Sequence, residues 1–217
     1  MCCDVLRLKV WLLHISPMIW RWFQVPAPLT LRRVHRVIQL GMGWEASHLF
    51  QFCLRAAHYG SFDLCVDSPD IALAELRLCK GTSFFYEYDL NIPQCHEIRV
   101  EDKLKGGPVN PFPRCVGREG HCPPEDSAGS AGFMDNRNSM ASIVAWENLH
   151  PMVEFAREVF LKKRPEVLND EERRLELEGA LERYRAREIA RGKPFSHRDL
   201  YAALRSGEHL QLRHQRD

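Results

Sequence analysis

The chain has 217 residues, 45% of them hydrophobic, and a formal net charge of +1. These totals exclude a disordered chain, which lacks the apolar residues for a core. They also exclude a global field drawing the whole molecule to nucleic acid or membrane, so any such partner must be read from local clusters. The first apolar run, Val10 to Trp20, is interrupted by His14 and Pro17 and preceded by Arg7 and Lys9. It is too short for a membrane span and lacks the cleavage pattern of a secretory signal, so a cytoplasmic location without membrane contact is expected. Eight cysteines at irregular spacing then point to reduced thiols, most of them expected as small buried apolar side chains.

From Leu6 to Ile15 the pattern alternates, with Leu6, Leu8, Val10 and Leu12 on one face, and predicts a strand that Ser16 and Pro17 break. The next stretch, IWRWFQVP, places Ile19, Arg21, Phe23 and Val25 on one face and Trp20, Trp22 and Gln24 on the other. That strand is expected to have apolar contacts on both sides, and Pro26 and Pro28 end it. Thr30 then opens a helix in which Leu31, Val34, His35, Ile38 and Met42 recur at helical spacing, and Gly41 and Gly43 close it. The period changes because a hairpin is followed by a helix that must bury its stripe on the hairpin's sheet.

HLFQFCL, from His48, reads as a third strand. A loop follows, leading to a short helix over Ile71 to Leu78 with Ser68 or Asp70 as its cap. TSFFYEYDL and HEIRVED are two further strands around the turn NIPQC. From Lys103 to Gly132 the composition shifts to Gly, Pro, Asn and Ser, which predicts a long loop. PMVEFAREVFLKK reads as helical, Asn169 with Glu172 caps a second helix that Gly192 and Pro194 stop, and Ser196 with Asp199 caps a third over LYAALRSG. The organisation expected is a domain over residues 1–137 followed by a charged helical extension over 138–217. The fold expected is α+β: a mostly antiparallel sheet covered on one face by the Thr30–Met42 and Ile71–Leu78 helices.

LHISPMIWRWFQVP, TLRRVHRVIQLGMGWEASHLFQF, FFYEYDL, HEIRVED and PRCVGREGHCPPED, in that order, together resemble the plasmid pRiA4b ORF-3-like family over roughly residues 6–132. The resemblance implies an α+β domain found on plasmids and mobile elements, whose members often carry a transposon-resolvase label. The residues do not support that activity, since a serine recombinase needs an activated hydroxyl among several arginines and Ser16 stands beside a proline at a strand break. Where the family has an acidic, aromatic turn of the form Tyr-Asp-Phe-Gly-Asp-Asp-Trp before a His, this chain keeps only Tyr88, Asp89 and His96. Its Asn91–Cys95 turn has lost two carboxylates and the aromatic ring. Ser127, Ala128 and Gly129 likewise stand where relatives carry a third cysteine and paired glycines.

Three constellations carry chemistry. Asp89, His96 and Asp126 form a candidate polar site, and Cys115, Cys122 and His96, with His121 nearby, are residue types that hold zinc. No CxxC or HExxH motif accompanies them, and the structural reading has Asp89 and His96 bracing the turn while the cysteines pin the loop. Trp11, Trp20, Trp22 and Trp44 with Arg21, Arg32, Arg33 and Arg36 could stack on bases and neutralise phosphates. In that reading Arg32, Arg33 and Arg36 contact nucleic acid; in the alternative the tryptophans are core and those arginines an outward helical face. Finally, Leu200, Tyr201 and Leu204 form an apolar stripe that docks the extension on the main domain or on another subunit.

The function these features favour is a non-catalytic interaction module of a mobile element or plasmid, joined to a protein partner or to a second copy through the helical extension. A nucleic-acid-binding accessory, with DNA as partner, and a metal-dependent enzyme with a partly degraded site are the alternatives. No cofactor is expected, since no complete cofactor motif is present; zinc is a metal the cysteine and histidine set could take.

Overall fold

Alternation at the start of the chain builds the centre of a sheet. In the computed structural model, which describes residues 4–105, 113–139, 143–190 and 196–207, β1 (Val5–Leu12) pairs antiparallel with β2 (Trp20–Pro26). Leu6, Leu8, Val10 and Leu12 are buried, as are Arg21, Phe23 and Val25. β3 (Phe50–Leu54), β4 (Ala57–Gly60), β5 (Ser83–Tyr88), β6 (Gln94–Leu104) and β7 (Arg114–Glu119) complete a seven-stranded antiparallel sheet in the order β4-β3-β5-β6-β1-β2-β7. The α+β class expected from the sequence is the one observed.

Helix α1 (Leu31–Met42) lays its stripe on one face of this sheet, burying Leu31, Val34, His35, Ile38 and Met42. The approach is close enough to exclude any side chain at Gly41, where a Cβ would stand 2.3 Å from Cζ of Phe23. Gly43, in the left-handed region at φ +79°, ends the helix by donating its N–H to the Gln39 and Leu40 carbonyls.

The expected helix over Ile71–Leu78 is instead a run of turns. Three of its backbone groups and the Pro69 carbonyl bond to the entry of α1, beside one internal turn bond from the Glu75 N–H to the Ala72 carbonyl at 3.0 Å. Leu31 and Arg32 donate their N–H groups to Ile71 and Pro69 at 3.0 and 2.8 Å, while Leu73 and Ala74 donate to Leu29 and Ala27. The segment thus caps α1, whose Thr30 makes no side-chain cap, and its leucines Leu73, Leu76 and Leu78 still reach the core. The loop reading after Leu54 missed β4, and the long-loop reading of 103–132 missed both β7 and the start of α2 (Gly129–Ser139). Residues 106–112 of that stretch lie outside the described residues.

The extension is α3 (Ile143–Ala156), a five-residue π turn over Arg157–Leu161, α4 (Glu171–Ala190) and α5 (His197–Ser206). Asp170, one residue beyond the expected Asn169, caps α4 by accepting the N–H of Arg173. Gly192 and Pro194 lie outside the described residues. Ser196 caps α5 as expected, accepting from the Asp199 N–H at 3.2 Å. Leu200 and Leu204 of α5 join the main core, and the helix packs on α1 and β7. A His197–Cys115 contact, Nε2 to carbonyl O at 3.0 Å, and the Arg114 guanidinium 6.0 Å from the Tyr201 ring complete that seat.

The cysteines depart from expectation. Cys115 and Cys122 are buried, but Cys53 and Cys95 are half-exposed and Cys65 and Cys79 exposed, all of them free. Among the described residues no helix is long and apolar enough to cross a membrane.

Because the Gly41–Phe23 contact leaves no room, Gly41→Ala is expected to lower unfolding free energy by about 1–3 kcal/mol through overpacking. A shift of the urea midpoint at unchanged slope is the measurement that checks it.

Candidate functional site

At the end of β5 the chain turns at Asp89, whose φ of +56° lies in the left-handed region. Aspartate tolerates that conformation because its side chain bonds its own backbone, and here Asp89 Oδ1 accepts the N–H of Asn91 at 3.3 Å. Two loops close over the turn, the one joining α1 to β3 and the segment from Cys122 to Asp126. Trp44 donates its indole N–H to the Pro123 carbonyl at 2.8 Å and stacks on Tyr88, centroids 5.4 Å apart.

Glu125, which the sequence reading did not single out, is the organiser. Its carboxylate accepts from the Glu45 N–H at 2.6 Å, the Ser47 N–H and hydroxyl at 3.2 and 2.9 Å, and the Tyr88 hydroxyl. Burial alone raises this carboxyl, but those donors outweigh it and hold the group below its ordinary 4.5. Burial, reinforced by Glu125, keeps the Tyr88 phenol protonated well above its usual range. The available signal was position: Glu125 precedes Asp126 inside the block shared with the family.

The predicted polar set is gathered only in part. Asp89 and Asp126 meet at His48, with Asp89 Oδ1 3.9 Å from Nδ1 and Asp126 Oδ1 3.4 Å from Nε2. His96 sits beneath them in the core, fully buried, edge-on to Trp44 at 5.5 Å and with Nδ1 2.9 Å from the Gln94 carbonyl. Burial brings its pKa down to about 4, so the ring is neutral at physiological pH.

The Cys115, Cys122 and His96 set is not gathered into a ligand sphere. Among the described residues no three His, Cys, Asp or Glu side chains stand where they could share a metal ion. Cys115 faces the core from β7, while Cys122 accepts from Arg21 Nη2 at 2.9 Å and lies 3.2 Å from the Met42 sulfur. Burial pushes the Cys122 thiol up to about 11 against the opposing Arg21 guanidinium, and it raises Cys115 as well. Both are protonated thiols at neutral pH in the metal-free fold. His121 is exposed.

The tryptophan and arginine group is split between the two faces of the sheet. Arg32 is engaged in a two-pronged bond to Asp70, at 2.7 and 2.9 Å. Arg33 is exposed and Arg36 half-buried, and all three lie on the helix side. Arg21 and Trp44 are core. Trp11, Trp20 and Trp22 stand on the opposite face, where strand pairing places Glu97, Trp11, Trp20 and Glu119 in one row and Arg99, Lys9, Trp22 and Gly117 in the next.

On that face Lys9 Nζ rests 5.7 Å from the Trp11 ring and 5.5 Å from the Trp20 ring, and the Arg99 guanidinium 5.3 Å from Trp11. Trp20 and Trp22 touch at 5.2 Å between centroids and lie across Gly117, where a Cβ would come within 2.9 Å of Trp22. Lys9 and Arg99 were absent from the sequence-derived group, although the outward parity of Arg7, Lys9 and Trp11 in β1 was a readable signal.

The chain matches the family described as Plasmid pRiA4b ORF-3-like protein over residues 4–168 and belongs to it. It is 33% identical over 147 residues to the uncharacterized protein y4hQ of Sinorhizobium fredii (strain NBRC 101917 / NGR234), a match covering 65% of this chain and 75% of that protein. A crystal structure of a protein of unknown function from Methanosarcina mazei Go1 has the same fold, with a TM-score of 0.61 and 25% identity, covering 68% of this chain and 87% of that one.

Two pH-linked outcomes follow from the geometry. Glu125 has its pKa depressed in the folded state, so its contribution is present above its ordinary 4.5 and is lost as pH falls through the folded value. Glu125→Gln is therefore expected to cost about 1–3 kcal/mol at neutral pH, the gap from wild type closing in acid unfolding titrations. His96 is also depressed: the unfolded ring takes up a proton near 6.5 while the folded ring resists to about 4. Wild-type stability should fall across that window by up to about 1.4 kcal/mol per pH unit from this group. His96→Leu should flatten the slope, as denaturant titrations at several pH values will reveal.

Proposed function

We propose that the protein is a non-catalytic binding module of a plasmid-borne or mobile-element system, and that the sheet face opposite α1 is its working surface. The observation that carries this reading is the set of cations resting on tryptophan rings on that face. Large amphipathic rings and long cationic side chains give contact area at low entropic cost, the composition that binding surfaces favour. The polar cluster favours fixation instead. Its central carboxylate is spent on two loop N–H groups and two hydroxyls, which locks the Cys122–Asp126 segment to the turn below α1.

A second surface supports a protein contact through the helical extension. Phe160 and Leu161 in the π turn are each 77% exposed, and Leu175 at the start of α4 is 60% exposed. A pair of adjacent apolar side chains presented this openly is an ordinary anchor for a partner's groove.

Site-specific photo-cross-linking in the native host separates the two surfaces. A photoreactive residue replacing Gln24 or Phe85, which lie on the open face, is expected to give macromolecular adducts, and one replacing Phe160 adducts with protein alone. Adducts from Phe160 with none from Gln24 or Phe85 move the working surface to the extension and overturn the sheet-face assignment.

A further inference from the structure

We propose that this face binds single-stranded nucleic acid without sequence preference, bases stacking on Trp11, Trp20 and Trp22 while Arg7, Lys9 and Arg99 neutralise the phosphates. The inference rests on reading that face as the binding surface and names its ligand.

Charge is the first argument. The carboxylates bordering the rings are occupied within the fold: Glu119 accepts the Trp20 indole N–H at 2.9 Å, Glu97 lies 3.7 Å from Arg99, and Asp102 lies 3.8 Å from Lys80. Arg7 and Lys9, side by side on β1 with their neighbours Gln24 and Trp22 on β2, form no ion pair among the described residues. Arg7 and Lys9 therefore place positive charge at the centre of the aromatic patch, the charge a polyanion would meet, with Asp102 opposite Arg7 and Glu119 at the edge as its negative neighbours.

Ring geometry is the second. The three indoles lie on neighbouring positions of two paired strands, and cations already cover two of them. A base presents the same kind of flat partner to an indole, and stacking is tolerant of base identity because every base has a π-face. When a base takes the place of Lys9 over Trp11 or Trp20, the released ammonium stays within reach of the adjoining phosphate. One arrangement thus serves both the empty and the occupied face.

The test uses the purified full-length protein and a short fluorescein-labelled oligothymidylate, with oligouridylate and a duplex of equal length beside it. Anisotropy should report binding of both single strands in preference to the duplex, accompanied by quenching of tryptophan fluorescence and weakening steeply as salt rises. Lys9→Glu and Trp22→Ala, each checked for native circular dichroism, should weaken binding about tenfold or more. Arg33→Glu, on the helix side of the sheet, should bind as wild type.

Absence of binding at low salt ends the inference, as does binding that Arg33→Glu destroys and Lys9→Glu spares. A dimer in light scattering that Lys9→Glu dissociates, with no oligonucleotide bound, assigns the face to a second copy and equally overturns it. If oligonucleotides fail while Gln24 and Phe85 still cross-link to protein, the nucleic-acid inference falls alone. If those positions give no adducts either, the reading of the face as a binding surface falls with it.

Discussion

The buried guanidinium of Arg21 is the constraint on which both candidate surfaces depend. Its side chain is 1% exposed and donates to the Gly41 carbonyl at 3.0 Å, to Trp20 and Glu119 carbonyls at 2.8 and 2.9 Å, to Gly120 at 3.1 Å and to the Cys122 sulfur. Burying a cation costs several kcal/mol unless its donors are satisfied, and the fork of Arg21 satisfies them by drawing together the last turn of α1, the end of β7 and the segment that follows it. Glu125 then reaches the turn at Tyr88 because the chain leaving β7 has been pinned at Glu119, Gly120 and Cys122. On the other face, the same pinning holds β7 beside β2, so that Gly117 lies under Trp20 and Trp22.

Between α1 and the sheet runs a polar seam. Gln39 Nε2 donates to the Tyr86 hydroxyl at 2.7 Å, leaving the hydroxyl proton for His35 Nδ1, also at 2.7 Å, while the His35 ring stacks on Phe50 at 3.7 Å. Such a seam fixes the register of a helix on a sheet more narrowly than an apolar layer does, since a one-residue slip leaves every partner unmatched. Gly41 against Phe23 fixes the same register by shape. The two constraints agree, which is why the loop after α1 delivers Trp44 and Ser47 to the turn where Glu125 meets them.

Much of the fold was legible because its strongest signals are periodic. The parity of β1 and β2 and the stripe of α1 were read correctly, and alternation grouped Arg21 with Ile19, Phe23 and Val25, although apolar contacts were expected on both faces of β2 and only that face joins the core. The signal failed where backbone groups bond to distant backbone. The Pro69–Leu78 segment has the leucines of a short helix but gives its carbonyls to α1, a long-range bond that no local pattern announces. β7 failed for a related reason: only Cys115 marks its inner face, and Gly117, which suggests a loop, is there to admit two tryptophans from a strand nearly a hundred residues earlier in sequence. Of the candidate site, Asp89 and Asp126 were found because acid types are visible. His48, Glu125 and Tyr88 act through contacts between loops, which spacing does not encode.

The two faces of the sheet are built on opposite principles, and the proposed binding surface follows from that difference. On the helix side the central polar groups are held by neighbours: Arg32 by Asp70, Glu125 by four donors, Trp44 by Pro123. A ligand there would have to break bonds that hold the loops in place. On the open side the contacts are cations on rings, weak and exchangeable, worth about 0.5–1 kcal/mol each at exposed sites. A flat, anionic ligand can replace them without disturbing the strands beneath, because the hydrogen bonds that hold those strands lie in the plane of the sheet and not above it. The proposed binding surface is therefore the face whose side chains are held least firmly, on a scaffold that Arg21 holds most firmly.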